Sequence, residues 1–304
     1  MEADVLAALS SRISTLTTAA AAHVLRVDGR RRRPSSGVAW SADGVVLTAH
    51  HTLERDEEVE VGLPSGGDAP AEVVGRDPTT DLAVLRVRGA ALAPPEWAEE
   101  PAPAPGQLVL GVSRPGRSAR AALGLVSRAA GEYRGPGGGR IDRYLETSLD
   151  LHPGLSGSLV LDAGGGALGL ATAGLVRGTA MVIPPATLRR VAKALLAHGE
   201  IRRGYLGLAT SPVPLSPALR AATGEHVALL VSRVEPDSPA ERAGILLGDA
   251  LLSFGGATLQ DPGELLGLLA EERIGDTVSM KVLRAGAVRE VQVTIGARGA
   301  GRRP

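Results

Sequence analysis

The sequence predicts a mainly β protein built in two parts, and three features carry that reading. Between residues 20 and 180 the chain is a succession of short apolar runs punctuated by Gly, Pro or Asp, the pattern of an antiparallel sandwich or barrel. One strongly periodic helix follows, over residues 184–199. Beyond it, residues 201–297 mix strand-like and helix-like segments, which predicts a second, smaller α+β unit.

In order, the early runs are AAHVLRV, SGVAWSADGVVLTA, EVEVGL, AEVVGR, LAVLRV, QLVLGV, AALGLVSR and ALGLATAGLV. Within the second, residues 41–44 (SADG) read as a hairpin turn with glycine where φ must be positive. Residues 93–106 and 131–140 are too rich in Pro or Gly for regular structure. In the helix, Leu188, Val191, Ala192, Leu195 and Leu196 share one face, and Gly199 supplies the stop. The second unit reads as strands GYLGLAT and VALLVSRV, short helix SPAERAG, strand ALLSFGG, helix DPGELLGLLAEE, then strands TVSMKVLR and REVQVTIG. Asp261 suits the N-cap of the later helix, Pro262 its first position, and Glu264 completes a capping box. Residues 1–19 are an N-terminal segment and residues 298–304 a disordered tail.

Composition narrows the function classes. With 44% apolar residues the chain buries a substantial core, and 2% aromatics means that core is mostly Ala, Val and Leu. Lys plus Arg and Asp plus Glu balance at 33 each, so no global field draws in nucleic acid or anionic lipid. The Arg30–Arg33 run has no second basic cluster or aromatic set beside it and reads as a solvated loop; no nucleic-acid partner is expected. There is no cysteine, hence no disulfide, thiolate metal site or Cys nucleophile, and neither metal nor cofactor is expected. No apolar run reaches 18 residues, so no membrane span is expected. The opening residues lack a basic start followed by a continuous apolar stretch. Taken on its face, that reads as cytoplasmic.

Of six histidines, His50 and His51 stand out, because they close a β-run, GVVLTAHH. Asp81 opens the run LAVLRV after a DPTT turn, and Ser156 sits between Leu155 and Gly157 at the mouth of another apolar run, HPGLSGSLV. Nucleophilic catalysis by serine needs an imidazole within hydrogen-bond reach of the hydroxyl and a carboxylate on the other ring nitrogen. The N–H groups of Gly154 and Ser156 would then receive the oxyanion. Glycine suits position 154 because a Cβ could block approach of substrate to the backbone. The G-x-S-x-G elbow of α/β-hydrolases does not fit, since position 158 is Ser.

The segments SADGVVLTAHHTL, VVGRDPTTDLAVLRV, HPGLSGSLV and IRRGYLGL, in this order, resemble the HtrA/DegP family of trypsin-like serine proteases, over about residues 17–298. The resemblance implies a trypsin-like double six-stranded β-barrel over residues 20–200 followed by one PDZ domain over 201–297. The family's T-N-x-H-V-V selects His51 over His50. Its D-x-x-T-D-L-A-V-L selects Asp81 and leaves Asp77 to the turn, and its N-P-G-N-S-G-G-P-L-V selects Ser156. The sequence departs from that last pattern at His152, Leu155, Ser158 and Leu159, replacing Asn, Asn, Gly and Pro. In the second unit, S-P-A-x-x-A-G-[IL]-x-x-G-D is almost intact, and Tyr205, Leu206, Gly207 and Leu208 match the loop that holds a peptide's C-terminal carboxylate. A bound peptide would add as a strand beside LGLAT, facing the helix from Pro262 to Glu271.

The activity implied is serine endopeptidase action on unfolded or misfolded polypeptide, in protein quality control, with peptide C-termini as partners of the PDZ domain. The rival reading is a catalytically inactive, protease-like peptide-binding or chaperone scaffold. Leu175, Met181 and Ile183, within residues 171–184, would give the substrate pocket a preference for small or medium apolar side chains. Family members are commonly trimers joined through N-terminal aromatic residues. This chain has no aromatic residue before Trp40, so a homo-oligomer is expected without that device. The family is mostly periplasmic or extracytoplasmic.

Overall fold

The computed structural model describes residues 2–30, 33–98, 103–135, 138–201, 203–269 and 273–298. The chain divides into two compact units, residues 1–201 and 202–304.

The first unit opens with a helix, α1 (Glu2–Ala20), that the sequence reading left as an unassigned segment. Leu6, Leu9, Ile13, Leu16 and Ala20 share one face, but six Ser and Thr residues between positions 10 and 18 dilute the helical signal. The hydroxyls of Thr15, Thr17 and Thr18 are absorbed by carbonyls four residues back. Ile13 and Leu16 pack on the barrels, and Arg12 donates to the Gly164 carbonyl at 2.6 Å.

Strands β1 (Val24–Asp28), β2 (Ser35–Ala39), β3 (Val45–Ala49), β4 (Val59–Gly62), β5 (Asp68–Asp77) and β6 (Leu82–Val87) close into an antiparallel barrel in the order β1-β2-β3-β6-β5-β4. Next come β7 (Leu108–Ser113), β8 (Arg120–Ala130), the small pair β9 (Tyr133–Arg134) and β10 (Arg140–Ile141), β11 (Tyr144–Thr147), β12 (Leu159–Asp162), β13 (Ala167–Thr172) and β14 (Ala180–Ile183). A second closed barrel runs β11-β14-β13-β12-β7-β8. The expected pair of six-stranded barrels is therefore present.

Strands β2, β3, β6, β7, β12, β13 and β14 are buried on both faces almost throughout, whereas β5 and β8 keep much of one face exposed. In β3, Val45 and Leu47 face the seam between the barrels, while Val46 turns into the first barrel's interior. Val112, Leu159 and Leu170 reach the same seam from the second barrel, whose own interior holds Val109, Leu145 and Val160. Helix α2 (Pro185–His198) buries Leu188, Val191, Ala192 and Leu195 on that seam. It stops at Gly199, which is left-handed with its N–H on the Leu195 carbonyl.

The second unit comprises β15 (Arg203–Tyr205), β16 (Leu208–Pro214), α3 (Pro217–Thr223), β17 (Val227–Val234), α4 (Pro239–Arg242), β18 (Ala250–Phe254), β19 (Ala257–Thr258), α5 (Pro262–Leu268), β20 (Thr277–Arg284), β21 (Ala287–Thr294) and β22 (Gly296–Arg298). Its main sheet runs β16-β17-β18-β20-β21, with β19 beside β18; β15 pairs with β22. The expected single strand GYLGLAT is split, because Gly207 has φ +81 and turns the chain between β15 and β16. The sequence does not announce helix α3, which is two turns long and packs Leu219, only partly buried, on the Leu215 cluster. Asp261 and Glu264 make the expected capping box on α5. Residues 270–272, placed in that helix by the sequence reading, lie outside the described residues, as do 31–32 of the arginine run and 299–304 of the tail.

Candidate active site

Strand β3 runs directly into a 3-10 turn, His50–Thr52, which lifts His51 off the rim of the first barrel. The Thr52 hydroxyl donates to the Ala49 carbonyl at 2.7 Å and so tightens this turn. Arg30 donates to the His51 carbonyl from the other side, so the head of the arginine run braces the turn rather than standing solvated. The carboxylate of Asp77 accepts the Thr79 N–H at 3.1 Å and the Thr80 hydroxyl at 2.6 Å, closing the bend before β6. Asp81 follows in the left-handed region, φ +56, which Asp tolerates better than most side chains.

That conformation lets Asp81 hold His51 twice. Oδ1 accepts the His51 backbone N–H at 2.9 Å, and Oδ2 lies 2.7 Å from the ring Nδ1. Asp81 is 2% exposed, and the Thr172 hydroxyl also donates to its Oδ2. The adjacent His50 points elsewhere. Burial pushes its imidazole below the usual histidine range, Asp81 opposes that shift, and its Nδ1 meets no partner among the described residues.

Ser156 comes from the other barrel, ahead of β12. Its Oγ accepts the Ala173 N–H at 3.2 Å. The next residue, Gly174, lies so close to the pair that a Cβ there would sit 2.5 Å from Asp81 Oδ2 and 2.6 Å from His51 Nδ1. The segment 172–174 therefore joins all three side chains. Among the described residues no hydrogen bond links Ser156 Oγ to the His51 ring, and the N–H groups of Gly154 and Ser156 meet no backbone carbonyl. Gly154 has φ +96, and a Cβ on it would lie 2.4 Å from Pro115 Cβ. Its glycine is thus demanded by the backbone and by Pro115, a stronger reason than substrate approach.

The departures at 155 and 158 have visible consequences. Leu155 is 2% exposed and sits in the interior cluster of the second barrel, so an apolar side chain anchors the loop. Ser158 is fully buried with its hydroxyl unpartnered among the described residues, while its N–H bonds the Leu155 carbonyl at 2.9 Å. Met181 and Ile183 are fully buried, leaving Leu175 as the one of the three proposed pocket residues that keeps exposed surface.

In the second unit Leu206 points into the core, and Gly207 packs so tightly that a Cβ would lie 2.2 Å from Ser238 Cβ. The Leu206 carbonyl accepts from Ala240 and the Gly207 carbonyl from Glu235. The N–H groups of Leu206 and Gly207 meet no backbone carbonyl among the described residues, which suits reception of a carboxylate. The Tyr205 hydroxyl donates to Glu235. Leu208 begins β16, an edge strand with α5 alongside.

Sequence reasoning missed Thr172, Gly174 and Arg30. The glycine inside the apolar run ATAGLV was the one available signal, since such a residue marks close approach of another group.

Two family profiles match the chain: a trypsin-like peptidase domain over residues 35–170 and a PDZ domain over 204–295. A probable periplasmic serine endoprotease, DegP-like, of Brucella suis is 31% identical over 274 residues, covering 86% of this chain and 52% of that protein. The chain thus spans about half the length of such curated relatives. The crystal structure of the serine endoprotease from Yersinia pestis superimposes with a TM-score of 0.76 at 28% identity, over 94% of this chain and 98% of that one. The HtrA-type protease AlgW with a decapeptide gives 0.77 at 25% identity, over 94% and 98%. The chain is thus a trypsin-like peptidase domain followed by one PDZ domain, and over most of its length it is similar to DegP-like and HtrA-type serine proteases.

Proposed function

We propose that the protein is a serine endopeptidase acting on unfolded or misfolded polypeptide, with residues 20–200 as the peptidase and residues 201–297 as a PDZ domain that binds peptide C-termini. The observation that carries this is the doubly held His51–Asp81 pair, joined to Ser156 through residues 172–174.

His51 Nε2 takes the Ser156 proton as Oγ bonds to the substrate carbonyl carbon. Asp81 fixes the tautomer and steadies the imidazolium. The oxyanion is received by the N–H groups of Gly154 and Ser156, each such donor being worth ~10²–10³ in rate. The C–N bond then breaks as His51 returns the proton to the leaving amine, and water repeats the sequence on the acyl-enzyme. In the PDZ unit, the Tyr205–Leu208 loop receives the carboxylate and the peptide extends along β16. We extend the proposal to a homo-oligomer, which sedimentation tests.

The inactive-scaffold reading draws on one observation, the Ser156 hydroxyl resting on Ala173 rather than on His51. Apo sites commonly tighten only with substrate. Casein hydrolysis and fluorophosphonate labelling by wild type, both absent in Ser156→Ala, are the expected result. An unlabelled, inert wild type would establish the scaffold instead.

A further inference from the structure

Ser36, on β2 of the first barrel, makes contacts that no part of the mechanism above uses. It is fully buried, and each of its polar groups is engaged across the seam or beside it. Its hydroxyl donates to the Gly154 carbonyl at 2.9 Å, 118 residues away, and accepts the Arg114 backbone N–H at 2.8 Å. Its own N–H lies 3.4 Å from the Ser156 carbonyl. Its carbonyl accepts the Thr48 hydroxyl at 2.7 Å.

The two bonds into the nucleophile loop fall on either side of one peptide. The Gly154 carbonyl belongs to the 154–155 amide and the Ser156 carbonyl to the 156–157 amide. Between them lies the 155–156 amide, whose N–H is one of the two oxyanion donors. Pinning both flanking planes fixes the direction of the middle one. The 154–155 plane also adjoins the Gly154 N–H through the left-handed φ of Gly154, which leaves that residue free to rotate unless its carbonyl is held.

The donor behind Ser36 is itself anchored. The Arg114 guanidinium is buried and bonds the carbonyls of Val24 and Ala21 at 2.8 Å each and that of Arg117 at 2.9 Å. Burial pushes the group below the usual arginine range, and among the described residues no carboxylate lies within 4 Å of it. A cation held wholly by main-chain oxygens fixes the 113–114 peptide, and so the N–H that Ser36 receives. The chain of contacts runs from the end of α1 through Arg114 and Ser36 to Gly154.

We propose that the Ser36 hydroxyl is a positioning residue for the oxyanion hole, holding the Gly154–Ser156 loop so that both N–H groups face the reacting carbonyl before substrate arrives. The inference rests on the peptidase reading above. Ser36 touches neither substrate nor the reacting atoms, so its contribution is to the transition state and not to ground-state binding.

The test compares wild type, Ser36→Ala and Ser36→Thr as full chains on a chromogenic peptide, with binding of a peptide aldehyde measured in parallel. Ser36→Ala is expected to lower kcat at least about tenfold, a fraction of the loss on deleting an oxyanion donor. Its KM should stay within about twofold and its aldehyde affinity should fall with kcat, because the hemiacetal oxygen uses the same donors. Ser36→Thr, which keeps the hydroxyl, should restore most of the loss. If Ser36→Ala no longer unfolds cooperatively, Ser36→Cys replaces it under the same criterion, its thiol being a poorer donor of similar size. A Ser36→Ala (or substituted Ser36→Cys) enzyme that keeps wild-type kcat, or that loses activity through KM alone, overturns the inference. An inert wild type defeats the peptidase reading itself, which separates the two failures.

Discussion

A Cβ built on Gly157 would lie 1.8 Å from the Ser36 carbonyl oxygen, with Gly157 at φ +86. The first barrel thus approaches the loop that carries Ser156 to a distance that only glycine permits. Gly157→Ala is expected to cost about 2–4 kcal/mol from overpacking and left-handed strain together. It should also remove at least about 99% of turnover, since the residue beside Ser156 must move. Urea unfolding and peptide hydrolysis check the two halves.

Leu155 stands where the family pattern has Asn, and its burial in the second barrel predicts that restoring the family residue harms the protein. Leu155→Asn should lose about 3–5 kcal/mol, from lost apolar burial and an unpaired amide. Leu155→Met should be nearly neutral. Denaturation midpoints of the two variants decide the point, and fluorophosphonate labelling rates should fall in the same order.

Asp249 in the PDZ unit is 1% exposed and forms a two-pronged pair with Arg284, at 2.7 Å on each oxygen. Burial by itself would raise its carboxyl, but the Arg284 hydrogen bonds and the Leu246 N–H outweigh that and hold it below the usual range. A carboxyl lowered on folding contributes stability above its unfolded pKa of about 4 and loses it as pH falls through the native value. Wild type should therefore lose stability more steeply than Asp249→Asn below about pH 4, in unfolding curves of the PDZ unit's transition.

Gly207→Ala meets Ser238 Cβ at 2.2 Å and imposes a side chain at φ +81. Affinity for a peptide with a free C-terminus should drop at least about tenfold, as the loop N–H groups are turned away. Labelling of Ser156 should be unchanged. Fluorescence anisotropy with free and amidated peptides measures the first, and the labelling gel the second.

The sequence made the elements legible wherever burial imposes a period. Leu188 to Leu196 announced α2, and β3 and β6 stood out because both of their faces are apolar. It concealed α1, whose Ser and Thr residues bond backwards into the helix instead of breaking it. At the site, the choice of His51 over His50 came from the resemblance; spacing alone leaves both open, and only the left-handed Asp81 separates them by geometry. Thr172 and Ser36 were invisible because their value lies in partners 91 and 118 residues away. No local pattern encodes such a contact.

Closure of both barrels has a consequence for how this molecule meets other chains. A closed sheet has no rim strand on which a stranger can stack. In the PDZ sheet the free rims are β16 and β21. The β21 rim exposes Arg289 and Glu290, which discourage pairing. On β16, Pro212 and Pro214 lack N–H groups, so the usable landing strip is residues 208–211. A strip that short accepts the last few residues of a chain and cannot template an endless sheet. The molecule is thereby kept from polymerising through its sheet rims.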